Sequence, residues 1–124
     1  MKRRAILSSV CLWIMISAVV VQAQSMRPDD YIEDVKKKYL EPNGLEYEQM
    51  DQRTQARVIG FALGMDLLAA RSDYEKIERL QSMVYRFRGK FGGRDSEGAK
   101  ELFAAYIGRY DNEMRKMFGL VPMA

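Results

Sequence analysis

Residues 58–70 read VIGFALGMDLLAA, and Asp66 is the only charged residue among them. A stretch that is apolar around the whole helical circumference is typical of a helix buried on all sides. At about 13 residues it is shorter than a membrane-spanning helix, which needs roughly 17–25 residues. We therefore expect it to form the centre of a core, as the second half of a helix over residues 47–70.

A second helical pattern follows at once. Ser72-Asp73-Tyr74-Glu75 matches the capping box, which predicts a helix that begins at Ser72. Apolar residues then recur at spacings of three and four up to the stop at Gly92-Gly93. They are Ile77, Leu80, Val84, Phe87 and Phe91. This seam covers only about two heptads, which favours a bundle helix over a free coiled coil. No glycine or proline separates it from the preceding helix, so one long helix through Ser72 is the alternative.

Two further helices are predicted on either side of this pair. The first covers residues 28–40, with Pro28 in its first turn, acidic residues at its start and lysines at its end. The last covers residues 96–118 and ends at Gly119. The sequence thus predicts an all-α fold: a small up-down bundle of about four helices, one short and three longer, in a single domain over residues 24–124.

The first 23 residues have the pattern of a secretory signal peptide. Lys2, Arg3 and Arg4 precede an apolar run, and Val21-Gln22-Ala23 offers small residues for cleavage. Without a disulfide or a glycosylation site in the remainder, we expect an exported protein of a bacterial envelope, periplasmic or else extracellular. The alternative is an uncleaved segment, which would be the chain's only contact with a membrane.

Removal of the predicted signal peptide, the leader, would also change the net charge. The whole chain carries 20 Lys and Arg against 17 Asp and Glu, a formal net charge of +3. Because three of the cations precede residue 24, the remainder is neutral. A neutral domain has no overall basic field to attract nucleic acid, so we expect no nucleic-acid partner.

Few side chains suited to catalysis are available. The chain has no histidine, and its single cysteine, Cys11, lies in the leader. The sequence therefore offers no histidine for acid–base catalysis near neutral pH and, after the leader, no cysteine as a nucleophile or metal ligand. We expect no cofactor, no metal and no enzymatic activity. A hydrolase of peptidoglycan built on paired carboxylates is the remaining enzymatic hypothesis.

Five residues are candidates for contact with a partner. Gly60 and Gly64 form a G-x-x-x-G in the apolar helix, which indicates a close approach by a partner helix, by a lipid chain or, as the favoured alternative, by another helix of this chain. Asp66 indicates either a specific buried contact with an arginine or tyrosine or a solvated seam. Leu120 and Val121 belong to an apolar tail that could fold back or dock onto a partner.

Residues 85–94, YRFRGKFGGR, interleave basic and aromatic side chains. Arg86, Arg88, Lys90 and Arg94 are candidates for anion binding, with a solvated helix face as the alternative. From these patterns we expect a non-enzymatic exported module that binds another envelope protein or itself, such as an adaptor, an inhibitor or immunity factor, or a secretion accessory. The alternative function is a binder or carrier of anionic lipid or another envelope component.

Overall fold

The computed structural model describes residues 26–122, and the predicted signal peptide lies outside this range. The described part is all-helical, which confirms the predicted fold class. It contains five α-helices and three short helical turns. The α-helices are α1 (Pro28–Val35), α2 (Gln52–Ala70), α3 (Tyr74–Lys90), α4 (Glu97–Tyr106) and α5 (Asp111–Met117). The turns are a π-helical turn over Lys36–Leu40 and 3₁₀ turns over Glu41–Asn43 and Tyr47–Gln49.

Helix α2 begins later than the sequence pattern indicated. The prediction of a start at Tyr47 is wrong, because Met50 is extended, with φ −84° and ψ 148°. Asp51 then caps the helix, and its Oδ1 accepts a hydrogen bond from the Thr54 N–H at 2.8 Å. The acidic side chain stabilises the start of the helix by satisfying one of its free N–H groups.

Helices α2 and α3 are separate, so the alternative of one long helix is excluded. Arg71 has a φ of +52°, a left-handed conformation that no helix interior contains. The residue that caps α3 is Asp73 and not the predicted Ser72: its Oδ1 accepts a hydrogen bond from the Lys76 N–H at 3.2 Å.

The single helix predicted over residues 96–118 is also wrong, because the chain breaks between α4 and α5. Gly108 lies at the break with a φ of +92°, which glycine adopts without the steric cost of a Cβ. The break redirects α5 so that Phe118 packs on the ring of Phe61, with centroids 5.7 Å apart. The aromatic contact supplies a tertiary reason for a break inside a periodic apolar pattern.

The core is centred on α2, but the prediction that this helix is buried throughout residues 58–70 is wrong, because Leu68 is 66 % exposed. Residues 58–63 are buried, and Phe61 contacts Tyr39 as well as Phe118. Arg57 of α2 meets Glu101 of α4, and Gly64 meets Tyr106, so these two helices run parallel. Helix α3 runs opposite to α4, since Phe91 lies against Gly98 while the earlier Tyr85 contacts the later Phe103. Three consecutive helices therefore alternate in direction, and α4 presents one side to α2 and another to solvent.

Candidate interaction surfaces

The close approach indicated by Gly60 and Gly64 is made by α4 of the same chain. A Cβ on Gly60 would overlap the carbonyl oxygen of Leu102 and lie 2.9 Å from the Cβ of Ala105. A Cβ on Gly64 would lie 2.8 Å from the carbonyl oxygen of Tyr106. The interpretation of these glycines as a groove for an external partner is therefore corrected: α4 occupies that groove, and internal packing explains both residues.

Asp66 has a specific partner on α1. The Tyr31 hydroxyl donates a hydrogen bond of 2.6 Å to Oδ2 of Asp66, and the Lys38 Nζ lies 3.9 Å from Oδ1. The Asp66 side chain remains 28 % exposed. Burial, followed by the negative charge of Asp66, raises the pKa of Tyr31, so the phenol stays protonated and keeps donating. Of the two interpretations of Asp66, the specific contact with a tyrosine is therefore the one that the structure contains. This contact joins α1 to α2.

The apolar tail is packed on the core up to Leu120 and exposed after it. Leu120 is half-buried against the core, and its N–H donates a 2.7 Å hydrogen bond to the carbonyl of Arg115. Val121 is 81 % exposed. The tail thus folds back as far as Leu120, while Val121 presents its side chain to solvent.

The basic residues of the stretch 85–94 do not form one patch. Arg86 donates a 2.9 Å hydrogen bond to the carbonyl of Met26, and Lys90 lies 2.7 Å from the carboxylate of Asp29. The hydrogen bond with Lys90 lowers the pKa of the Asp29 carboxyl. Both cations therefore attach the segment around α1 to α3 and are not free for an external anion.

Arg88 and Arg94 lie elsewhere, on a recess of about 530 Å³ beside α4. Its lining includes four basic residues and one acidic residue: Arg88, Arg94, Lys100, Arg109 and Asp95. The rest of the lining is apolar and consists of Ala99, Phe103, Ala104 and Ile107. We refer to the surface made by Tyr85, Arg88, Arg94, Lys100, Phe103, Ile107 and Arg109 as the α3–α4 face.

Three cations of the α3–α4 face lack an acidic partner. Within residues 26–122, no carboxylate oxygen lies within 4.0 Å of a guanidinium nitrogen of Arg88, Arg94 or Arg109. Lys100 is 3.8 Å from Glu97, an exposed pair of little energetic weight. The face therefore has an excess of positive charge although the domain is neutral.

Apolar side chains are exposed between these cations. Tyr85 is 60 % exposed and Ile107 73 % exposed. The Tyr85 ring meets the edge of Phe103 at 6.4 Å, and the Arg88 guanidinium lies 5.1 Å from the Tyr85 centroid. A second recess of about 250 Å³ is lined by Tyr85 and by Phe103, which also lines the first recess, so the apolar surface continues beyond the first recess.

Sequence reasoning did not assign Lys100, Phe103, Ile107 and Arg109 to this surface. Lys100, Phe103 and Ile107 follow one another at spacings of three and four, a pattern that could have identified an outward stripe on α4. Arg109 could not have been placed, because its position depends on the break at Gly108.

Glu101 is the one acidic residue buried in the described part of the chain, and its surroundings do not suit acid catalysis. Its carboxylate accepts a 2.7 Å hydrogen bond from Nε of Arg57, and this bond lowers the pKa of the Glu101 carboxyl. A general acid needs a raised pKa instead. Across residues 26–122, no three Asp or Glu side chains are grouped to hold a metal ion, and no helix has the length and apolar character to cross a membrane.

No family model matches this chain, and neither a curated protein nor a solved structure is significantly similar to it.

Proposed function

We propose that this chain is an exported, non-enzymatic helical module that binds an acidic partner protein on the α3–α4 face. One observation carries the proposal: three arginines without a carboxylate partner surround exposed apolar side chains above a recess. A partner that offers carboxylates around an apolar side chain would neutralise the arginines and cover Tyr85 and Ile107 together.

The residue types favour a protein over a lipid surface. Arginine, tyrosine and phenylalanine are enriched in protein–protein interfaces, whereas lysine is depleted there. The face carries three arginines to one lysine, and its half-buried Phe103 lies in a recess that a protruding side chain could enter. An anionic membrane would attract the basic side chains through its negative surface charge, and its flat surface would not require such a recess.

The same charges argue against a symmetric homodimer through this face. In a twofold dimer each patch meets its own copy. Arg88, Arg94 and Arg109 would then face the same three cations, and like charges across an interface are unfavourable. The partner we propose is therefore a different, acidic protein of the envelope.

Site-specific photocrosslinking in cells that naturally produce the protein tests this proposal. A benzophenone amino acid at position 85 should give a discrete adduct with a protein of acidic isoelectric point. The same group at Leu68, which is exposed on α2, should not give it. The triple variant R88Q/R94Q/R109Q should lose the adduct, because the charge complementarity is removed.

A charge-matched control separates a local effect from loss of net charge. The variant K37Q/R71Q/K116Q removes three exposed cations that lie off the face and have no ion pair in residues 26–122. It should retain the adduct. An adduct equally strong at both positions, or one that survives R88Q/R94Q/R109Q, contradicts the proposal. Salt-sensitive binding to phosphatidylglycerol vesicles that only R88Q/R94Q/R109Q abolishes, with no protein adduct, would replace the protein partner by anionic lipid.

A further inference from the structure

A separate groove lies between α1 and α3, on a part of the molecule that the proposed function does not use. Its volume is about 440 Å³, within the range of about 300–1,000 Å³ typical of small-ligand sites. Val35 and Leu80 belong to its apolar lining, and Met26 and Met83 add flexible thioether side chains. Methionine adapts its shape to varied apolar ligands, so this lining suits an aliphatic chain.

Two cations on α3 lie at the groove without acidic partners. Neither Lys76 nor the half-buried Arg79 has a carboxylate within 4.0 Å in residues 26–122. A half-buried guanidinium is partly desolvated, and an anion beside it would offset that cost. These cations distinguish the groove from a purely apolar cleft.

The acidic residues of the groove lie on its other side. Asp34 is on α1, and Asp66 on α2 already accepts the Tyr31 hydroxyl at 2.6 Å and faces the Lys38 ammonium at 3.9 Å. The Asp66 carboxylate is therefore already engaged by Tyr31 and Lys38, whereas Asp34 has no ion pair in residues 26–122. The unpaired positive charge is on the α3 side, above Leu80 and Met83.

We infer that this groove binds a single-chain anionic amphiphile, with its chain on the apolar lining and its carboxylate or phosphate at Lys76 and Arg79. A two-chain phospholipid would exceed a groove of this volume. The inference does not depend on the α3–α4 face or on the acidic protein proposed to bind there.

Methyl NMR on protein labelled with ¹³C-methyl methionine tests the inference, with dodecanoate below its micellar concentration as the probe. The Met26 and Met83 methyl signals should shift and saturate, because both side chains line the groove. Met50 and Met114 lie outside it and should not shift. Dodecyltrimethylammonium, with the same chain and the opposite charge, should bind at least tenfold more weakly.

Substitutions on α3 test where the anionic group of the amphiphile binds. K76Q/R79Q should weaken dodecanoate binding by roughly tenfold, about 1.4 kcal/mol, while R71Q, an exposed arginine that does not line the groove, should leave it unchanged. K76Q alone, at an exposed position, should weaken binding in the same direction even if R79Q perturbs packing. Dodecyl phosphate should behave like dodecanoate, and inorganic phosphate alone should not bind.

The inference is overturned by the absence of a shift at Met26 and Met83, by equal binding of the cationic amphiphile, by simultaneous shifts of all the methionines, or by unchanged affinity of K76Q/R79Q for dodecanoate. The variant R88Q/R94Q/R109Q should keep its affinity for dodecanoate. If it loses that affinity, the amphiphile binds on the α3–α4 face and not in the groove.

Discussion

Helix α4 has two sides with opposite properties. Towards α2 it packs on Gly60, and its Glu101 is 9 % exposed and paired with Arg57. Away from α2 it lines a recess together with Ile107, which follows its last residue, and the arginines of this recess have no acidic partner in residues 26–122. The inward side satisfies its polar groups and fills its space, as a stabilising interface must. The outward side leaves apolar side chains exposed beside arginines that have no acidic partner in residues 26–122, which marks it as a candidate for binding.

The largest effect is expected where the inward side is tightest. Gly60→Ala should destabilise the fold by about 1–3 kcal/mol, because the new methyl group overlaps the Leu102 carbonyl and α4 must move. Denaturant unfolding followed by circular dichroism measures this change. Gly89→Ala in α3 is the matched control: a Cβ at this position would meet no other part of the structure within 4 Å, and the change should stabilise the fold by about 0.5–1 kcal/mol. Equal effects of the two substitutions would mean that α4 does not pack on Gly60.

The ion pair of the inward side should give the next largest effect. Glu101→Gln should cost about 0.5–1.5 kcal/mol, because the glutamine oxygen can still accept from Arg57 but the guanidinium loses its charged acceptor. The substitution also has a pH signature. Arg57 holds the folded-state pKa of Glu101 below its ordinary 4.5, so the stabilisation is present above that pH and is lost as the pH falls through the folded pKa.

The difference in the free energy of unfolding between the wild type and Glu101→Gln should therefore shrink as the pH falls from about 4.5 towards 3. A difference that stays constant over this range would show that the carboxylate charge contributes nothing to the pair.

The smallest effect on stability is expected on the outward side. R88Q/R94Q/R109Q should change the free energy of unfolding by no more than about 0.5 kcal/mol per substitution, because none of these side chains has an ion pair to lose in residues 26–122. Thermal unfolding measures this change in stability. A loss of several kcal/mol would place these arginines among the groups that hold the fold, and the contrast between the two sides of α4 would disappear.

The basic stretch shows how far the sequence could locate the candidate surface. Arg86 and Lys90 are four residues apart and share one side of α3, whereas Arg88 is two residues from each and lies on another side. Helical periodicity thus implies that the cations divide into two groups. Which group is free could not be read from the sequence, because it depends on where Asp29 and the Met26 carbonyl lie.

The sequence by itself determined the helical class, the place of α2 at the centre of the core and the close approach at Gly60. These follow from local periodicity and from side-chain volume, which are properties of short stretches of chain. Only the tertiary structure decided that α4 fills the glycine groove, that the chain breaks at Gly108, and that Arg109 joins Arg88 beside an open recess. Those outcomes depend on contacts between residues far apart in the chain, such as Phe61 with Phe118, which outweigh local helix propensity.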